Sequence, residues 1–363
     1  MKIRSERAGA RGWALAATAA AMLLTAVAPA GAEKLVFATP SPVSISYAPW
    51  SAAFQLGYFK EEGLKVEMVQ IEGSGKLIPQ VANKSVDIGW PNPDVVVIGA
   101  QPGRDPLPVK FFYNHLPRSV WEIVVGARSP IQTVADLKGK KVGIQSFSSG
   151  SIPLLQAILH DAGLKEGQDL ELIPVGFGGP AFRAIRSDEI QALFLFDIMH
   201  EILRGTGFPI RRLPLKPAHA DLLGNGFMTH VDNLQAKRQA LAGFGRAVTK
   251  GSIACWANKE ACVRLHWKHY PQQKPTTGDE ADNIAKNVAM LEARFPALIP
   301  DPMSPKIGAY EAQSWQELAD VLLESGKIKT RDIPIATLYT NDLVPAFNDF
   351  DRAKLIADVK AMK

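Results

Sequence analysis

From residue 35 to residue 229, short apolar runs alternate with stretches of helical spacing, in two successive rounds. The first round has runs at 35–38, 66–71, 86–90 and 109–113. Between them, Ser74 precedes a helical stretch at 76–82. Asn92-Pro93-Asp94 sets a cap, a first-turn proline and a first-turn acid before 95–100. The second round has runs at 122–127, 141–145, 170–175 and 190–196, separated by helical stretches at 133–137, 152–162 and 180–186. Weaker strand candidates follow at 210–215 and 225–229. Ala192-Leu193-Phe194-Leu195-Phe196 is apolar throughout, as befits a strand buried on both faces. Strands alternating with helices specify an α/β chain with a parallel sheet covered on both sides. Beyond Asp232 the character changes, and 233–256, 259–270, 280–294, 310–325, 334–348 and 351–362 are all helical by period. Two α/β units and a helical tail predict two lobes. Residues 33–126 and 228–363 form a discontinuous lobe 1, residues 127–227 form lobe 2, and hinge crossings fall near 125–129 and 223–230.

The amino end reads as an export signal. Residues 1–12 are polar and basic, residues 13–27 are almost purely apolar, and Ala30-Gly31-Ala32 is a small-residue exit. A charged start, a greasy core and an Ala-x-Ala end make residues 1–32 a signal peptide, with cleavage expected after Ala32. The apolar run is shorter than the ~20 residues of a spanning helix. Export implies a periplasmic protein. The 363-residue chain has 41 basic and 36 acidic side chains, or +5. The first 32 residues hold four of the basic and one of the acidic, so the mature balance is 37 − 35 = +2. That small charge gives no basis for nucleic-acid binding. The two cysteines, Cys255 and Cys262, are seven positions apart. On one straight helix that is ~10.5 Å of rise, too far for a bond. A corner capped by Asn258 would bring them together as a disulfide; otherwise they are two buried thiols.

Several motifs resemble a known family. Leu56-Gly57-Tyr58-Phe59-Lys60-Glu61-Glu62-Gly63-Leu64-Lys65-Val66 is similar to the opening signature of periplasmic solute-binding proteins of the nitrate/sulfonate/taurine type, relatives of the thiamine-pyrimidine proteins. Ser85-Val86-Asp87-Ile88-Gly89, Asp136-Leu137-Lys138-Gly139-Lys140-Lys141-Val142-Gly143, Tyr339-Thr340-Asn341-Asp342-Leu343 and Asn348-Asp349-Phe350-Asp351 match further family segments in order. Ser187-Asp188-Glu189-Ile190-Gln191-Ala192 departs from the family's usual Gly-x-Val-Asp-Ala. The resemblance implies a periplasmic binding protein-like fold: two Rossmann-like lobes with a hinge and a helical C-terminal part. It also implies a small-molecule solute and a membrane permease with its ATPase as partners of a monomeric chain.

Open parallel sheets bind ligands beyond the carboxyl ends of their strands. The corresponding loops carry Ser41, Ser44 and Tyr47 after the first run, Gly73 and Ser74 after the second, and Trp90 and Asn92 after the third. In the second unit they carry Ser146, Ser148 and Ser149, then Gly178, then Asp197. The serine and glycine loops suit anions at helix starts, and each serine equally suits a helix cap. Trp90 and Tyr47 suit either stacking on a solute or core packing. Asp197 suits a cationic group or local backbone amides, with the local role favoured.

No P-loop, nucleophile elbow or dinucleotide fingerprint occurs. His266 and His269 have no third ligand nearby in sequence, so neither a metal nor a cofactor is expected. The leading function is non-enzymatic capture of a small organic solute, with a sulfonate- or carboxylate-like anion favoured, for an ABC importer. The alternatives are a thiamine-pyrimidine precursor-type enzyme on the same fold and a periplasmic sensor partner.

Overall fold

Ten strands among the described residues form two five-stranded sheets, and helices alternate with most of the strands along the chain. The computed structural model describes Met1 and residues 31–362. The export signal expected over residues 1–32 therefore lies, apart from its ends, outside the described residues. From Ala32 onward the chain forms one compact unit. No described helix is long and apolar enough to cross a membrane.

The first sheet has the order β2-β1-β3-β10-β4. Its strands are β1 (Glu33–Thr39), β2 (Leu64–Gln70), β3 (Ile88–Gly89), β4 (Val109–Tyr113) and β10 (Phe227–His230). β1 runs parallel to β2, Glu33 opposite Leu64 through Thr39 opposite Gln70, and parallel to β3. β10 inserts antiparallel between β3 and β4. The second sheet has the order β7-β6-β8-β5-β9. It comprises β5 (Trp121–Gly126), β6 (Lys141–Ile144), β7 (Glu171–Pro174), β8 (Ala192–Phe196) and β9 (Ile210–Arg212). Every residue of β8 is buried, and β5 runs antiparallel to both β8 and β9.

The chain thus crosses between sheets at residues 114–120 and 213–226. Residues 121–126, grouped by the sequence pattern with lobe 1, belong to the second sheet, and the first crossing precedes β5 instead of following it. The alternation of β5 fits either sheet; only its pairing with β8 decides.

The core beneath the first sheet is aromatic. Phe37 meets Trp50 and Phe227 edge-to-face at 5.0 and 5.4 Å, and Phe227 meets Phe244 at 5.2 Å. Burial of each such ring contributes about 1.5–3 kcal/mol, with further gain from the edge-on geometry. Phe244 lies on the long helix Arg238–Ala257. This helix approaches so closely that a Cβ on Gly251 would collide with the Pro49 carbonyl. It ends at Asn258, whose side chain accepts a hydrogen bond from Ala261 N at 3.0 Å and starts the next helix, Lys259–His269. This corner places the Cα atoms of Cys255 and Cys262 4.9 Å apart, joined by a disulfide.

The tail holds helices at Glu280–Leu298, Ala312–Glu324 and Arg352–Lys360. The single helix expected over 334–348 is instead two short turns, Ile335–Leu338 and Val344–Phe347. Between them Tyr339 is extended, and Thr340 N donates to Phe111 O at 2.9 Å. Pairing with the edge of β4 outweighs the local helical pattern there.

Candidate ligand site

The carboxyl ends of the parallel strands in the two sheets face one another. Pro40 and Ser41 follow β1, Gly73 and Ser74 follow β2, and Trp90 and Asn92 follow β3. From the second sheet come Gln145, Ser149 and Gly150 after β6, with Phe196 closing β8. Because β5 and β10 run antiparallel to their neighbours, their amino ends reach the same place, delivering Trp121 and, just before β10, Asn225. Together they bound a narrow cleft with about 30 Å3 of free space. The two sides also touch directly. Gly75 N donates to Ser148 O at 3.0 Å, and Gln145 Nε2 donates to Pro40 O at 3.4 Å. Gly73 has φ of 79°, and a Cβ there would run into Ser148 across the seam. Both the turn and the close approach therefore require glycine.

Of the residues expected from sequence, Ser41, Gly73, Ser74, Trp90, Asn92 and Ser149 line the cleft. The serines act mainly as ties between loops. Ser74 Oγ accepts from Asn92 N at 3.1 Å, and Ser149 Oγ bonds Ser151 Oγ at 2.9 Å. The helix at 152–161 has no side-chain cap. Ser44 lies behind Ser46, its hydroxyl 2.7 Å away, and Ser46 takes the lining position. Tyr47 is buried below the wall, tilted against Trp50 at 4.7 Å and edge-on to Trp90 at 6.1 Å. Its hydroxyl donates to Ser41 O, and burial pushes its pKa up to about 12. Ser146 and Ser148 bond each other at 3.0 Å and sit at the seam. Gly178 caps the helix Gly179–Arg186 away from the cleft.

Asp197 does not line the cleft. Its carboxylate accepts from Ile198 N at 2.6 Å, the local role favoured from sequence, and also holds Arg294. Arg294 Nε donates to Asp197 Oδ2 at 2.8 Å while Nη2 donates to Oδ1. Arg294, only 4% exposed, is the one charged side chain lining the cleft among the described residues. It comes from the tail helix Glu280–Leu298, and its sequence neighbourhood carries no motif.

The wall combines Trp90, Trp121 and Phe196 with Leu116 and Val120. The indole nitrogens of Trp90 and Trp121 are buried without a partner. Below Trp90, His115 Nε2 accepts from Trp50 Nε1 at 3.3 Å. Burial, with a smaller contribution from the Arg294 charge, lowers the His115 pKa to about 3, so this imidazole is neutral at ordinary pH. The lining thus combines hydroxyls, amides and rings with one guanidinium and contains no carboxylate. No group of three metal-ligating side chains occurs among the described residues. His266 Nδ1 instead meets Ser51 Oγ at 3.0 Å, and His269 Nδ1 meets Gln55 Nε2 at 3.2 Å.

Known proteins resemble this chain in sequence or in fold. The riboflavin-binding protein RibY of Chloroflexus aurantiacus is 22% identical over 313 residues, covering 83% of each chain. The periplasmic aliphatic sulphonate binding protein SsuA of Escherichia coli superposes with a TM-score of 0.61 at 19% identity, over 84% of this chain and 91% of that one. The desulfurization enzyme DSZB superposes with a TM-score of 0.56 at 12% identity, over 87% and 98%. The fold is therefore that of the periplasmic binding proteins, two α/β lobes with a helical C-terminal part, and it serves binders and an enzyme alike. A family profile described as NMT1/THI5 like matches residues 44–261, more than half of the sequence, and the chain belongs to that family.

Proposed function

We propose that the mature chain is the solute-binding component of an ABC importer. It works in the periplasm as a monomer and captures a small organic solute with a sulfonate- or carboxylate-like end. The carrying observation is the cleft itself: two sheets meet over a polar, aromatic-walled space with a single lining charge, that of Arg294, and no lining carboxylate among the described residues. The two lobes are the first sheet with the tail and the second sheet, and the hinge is the pair of crossings at 114–120 and 213–226. Contacts to the solute from both sides become available only when the sides meet, so binding drives closure. The closed form then docks on the permease, which its ATPase powers.

The fold shared with DSZB makes an enzyme the second reading. The hydroxyls here favour binding. Ser41 bonds Tyr47, Ser46 bonds Ser44 and Ser149 bonds Ser151, and none of these bonds joins a serine to a histidine.

A thermal-shift screen of the mature protein against sulfonates, carboxylates, oxyanions, pyrimidines and flavins tests the reading. A ligand at 100 times its Kd adds ~2.7 kcal/mol. Small-angle scattering with that ligand should show compaction. A profile unchanged by any ligand, or a chemically converted product, would refute the proposal.

A further inference from the structure

We propose that Arg294 is the specificity-determining residue of the cleft, receiving the negatively charged oxygen end of the solute while the Trp90, Trp121 and Phe196 wall takes its body. This rests on the solute-binding reading above and names the residue that sets its charge preference.

Three observations meet on this side chain. Among the described residues, Arg294 alone brings charge to a lining of hydroxyls, amides, rings and aliphatic groups. Asp197 grips the guanidinium through Nε and Nη2, which fixes its plane, and Nη1 makes no hydrogen bond among the described residues. Trp90 and Trp121, from opposite sheets, each add a buried indole N–H with no partner. Such donors cost free energy unless something accepts from them. A fixed guanidinium with an uncommitted Nη1 suits an oxygen-rich anionic end better than an ammonium or hydroxyl end.

The position of Arg294 ties charge recognition to closure. Its helix, Glu280–Leu298, packs on the Lys259–His269 helix and the 45–47 turn beside the first sheet, and on the Asp197–Gly205 helix of the second. Asp197 closes the β8 end of the second sheet. The Arg294–Asp197 grip therefore spans the two sides, and Asp197 is a positioning residue that acts through Arg294.

The test measures affinity for isosteric acid and amide pairs by calorimetry on the mature chain: butanesulfonate with butanesulfonamide, benzenesulfonate with benzenesulfonamide, and benzoate with benzamide. The wild type should bind at least one acid about 10- to 100-fold more tightly than its amide, the span of one charge-assisted bond. Arg294→Gln should bring that ratio to within about threefold of unity, and Arg294→Lys should keep part of it. Because Arg294→Gln leaves Asp197 buried without its partner, Arg294→Gln/Asp197→Asn is measured beside it. The double variant should lose the ratio while melting near the wild type. A ratio retained in either Gln variant, or equal losses for acid and amide, would overturn the assignment of Arg294 alone. A wild type that binds no acid of the panel would overturn the anionic-solute reading as well.

Discussion

Replacing Gly150 by alanine adds one methyl group at the seam between the two sides. A Cβ there would lie 2.5 Å from Ser74 Oγ, 2.7 Å from Ser74 Cβ and 2.8 Å from Asn92 Cβ. Ordinary carbon contacts need 3.5–4.0 Å. These neighbours cannot easily yield, because Ser74 Oγ holds Asn92 N. Gly150 does not use a left-handed backbone, so alanine itself is unstrained there. Overpacking of this kind costs about 1–3 kcal/mol. If the sides separate when empty, only the closed form bears the cost. Affinity for any solute should then fall about 5- to 150-fold, while the melting temperature of the solute-free protein stays within a degree or two. Calorimetry gives the affinity, and scanning calorimetry of the empty protein gives the melting point. Unchanged affinity would refute the hinge argument. So would unchanged binding energetics paired with a melting temperature lowered by several degrees, because a rigid protein would carry the clash in both states.

Two further perturbations follow from groups away from the seam. Burial lowers the pKa values of His115 and His266 to about 3, so both stay neutral in the fold while the unfolded chain protonates below pH 6.5. The stability each contributes is lost as pH falls from about 6.5 toward 3. Burial raises Asp94 to about 7, which gives the opposite slope, with stability falling as pH rises from about 4 to 7. With two histidines against one carboxyl, urea unfolding should show net stability rising with pH between 4 and 6.5. Asp94→Asn should steepen that rise and add up to about 4 kcal/mol at pH 8; no gain at pH 8 would contradict the buried-acid reading. Reducing Cys255–Cys262, or replacing both by alanine, opens a loop of sequence separation seven and should cost about 2 kcal/mol of unfolding free energy, read as a lower urea midpoint. An unshifted midpoint would mean that the helix corner holds without the bond.

The strand ladder was largely legible because its period survives in the sequence; β4 falls on residues 109–113, where the pattern puts it. Sheet membership was not legible. β5 and β10 run against their neighbours, and alternation is blind to direction. The same blindness hid Trp121 and Asn225, since the rule that ligands lie beyond carboxyl ends passes over strands that arrive amino end first. Arg294 left no signal, because nothing local distinguishes a helical arginine that will meet Asp197 nearly a hundred residues away. The lone helix expected at 334–348 failed for a related reason: the edge of β4 offered Tyr339 and Thr340 a partner that the local pattern does not encode.

The place of β10 bears on the order in which the molecule assembles. The second sheet is built from one uninterrupted stretch, 121–212, and has all its strands once residue 212 is available. The first waits for residues 227–230 to slide between β3 and β4, and until then both expose bare backbone on the sides that will face β10. Unpaired edges of this kind recruit other chains. Truncations ending before residue 227 should therefore aggregate through the first sheet, while a fragment carrying 121–212 has no such gap to fill.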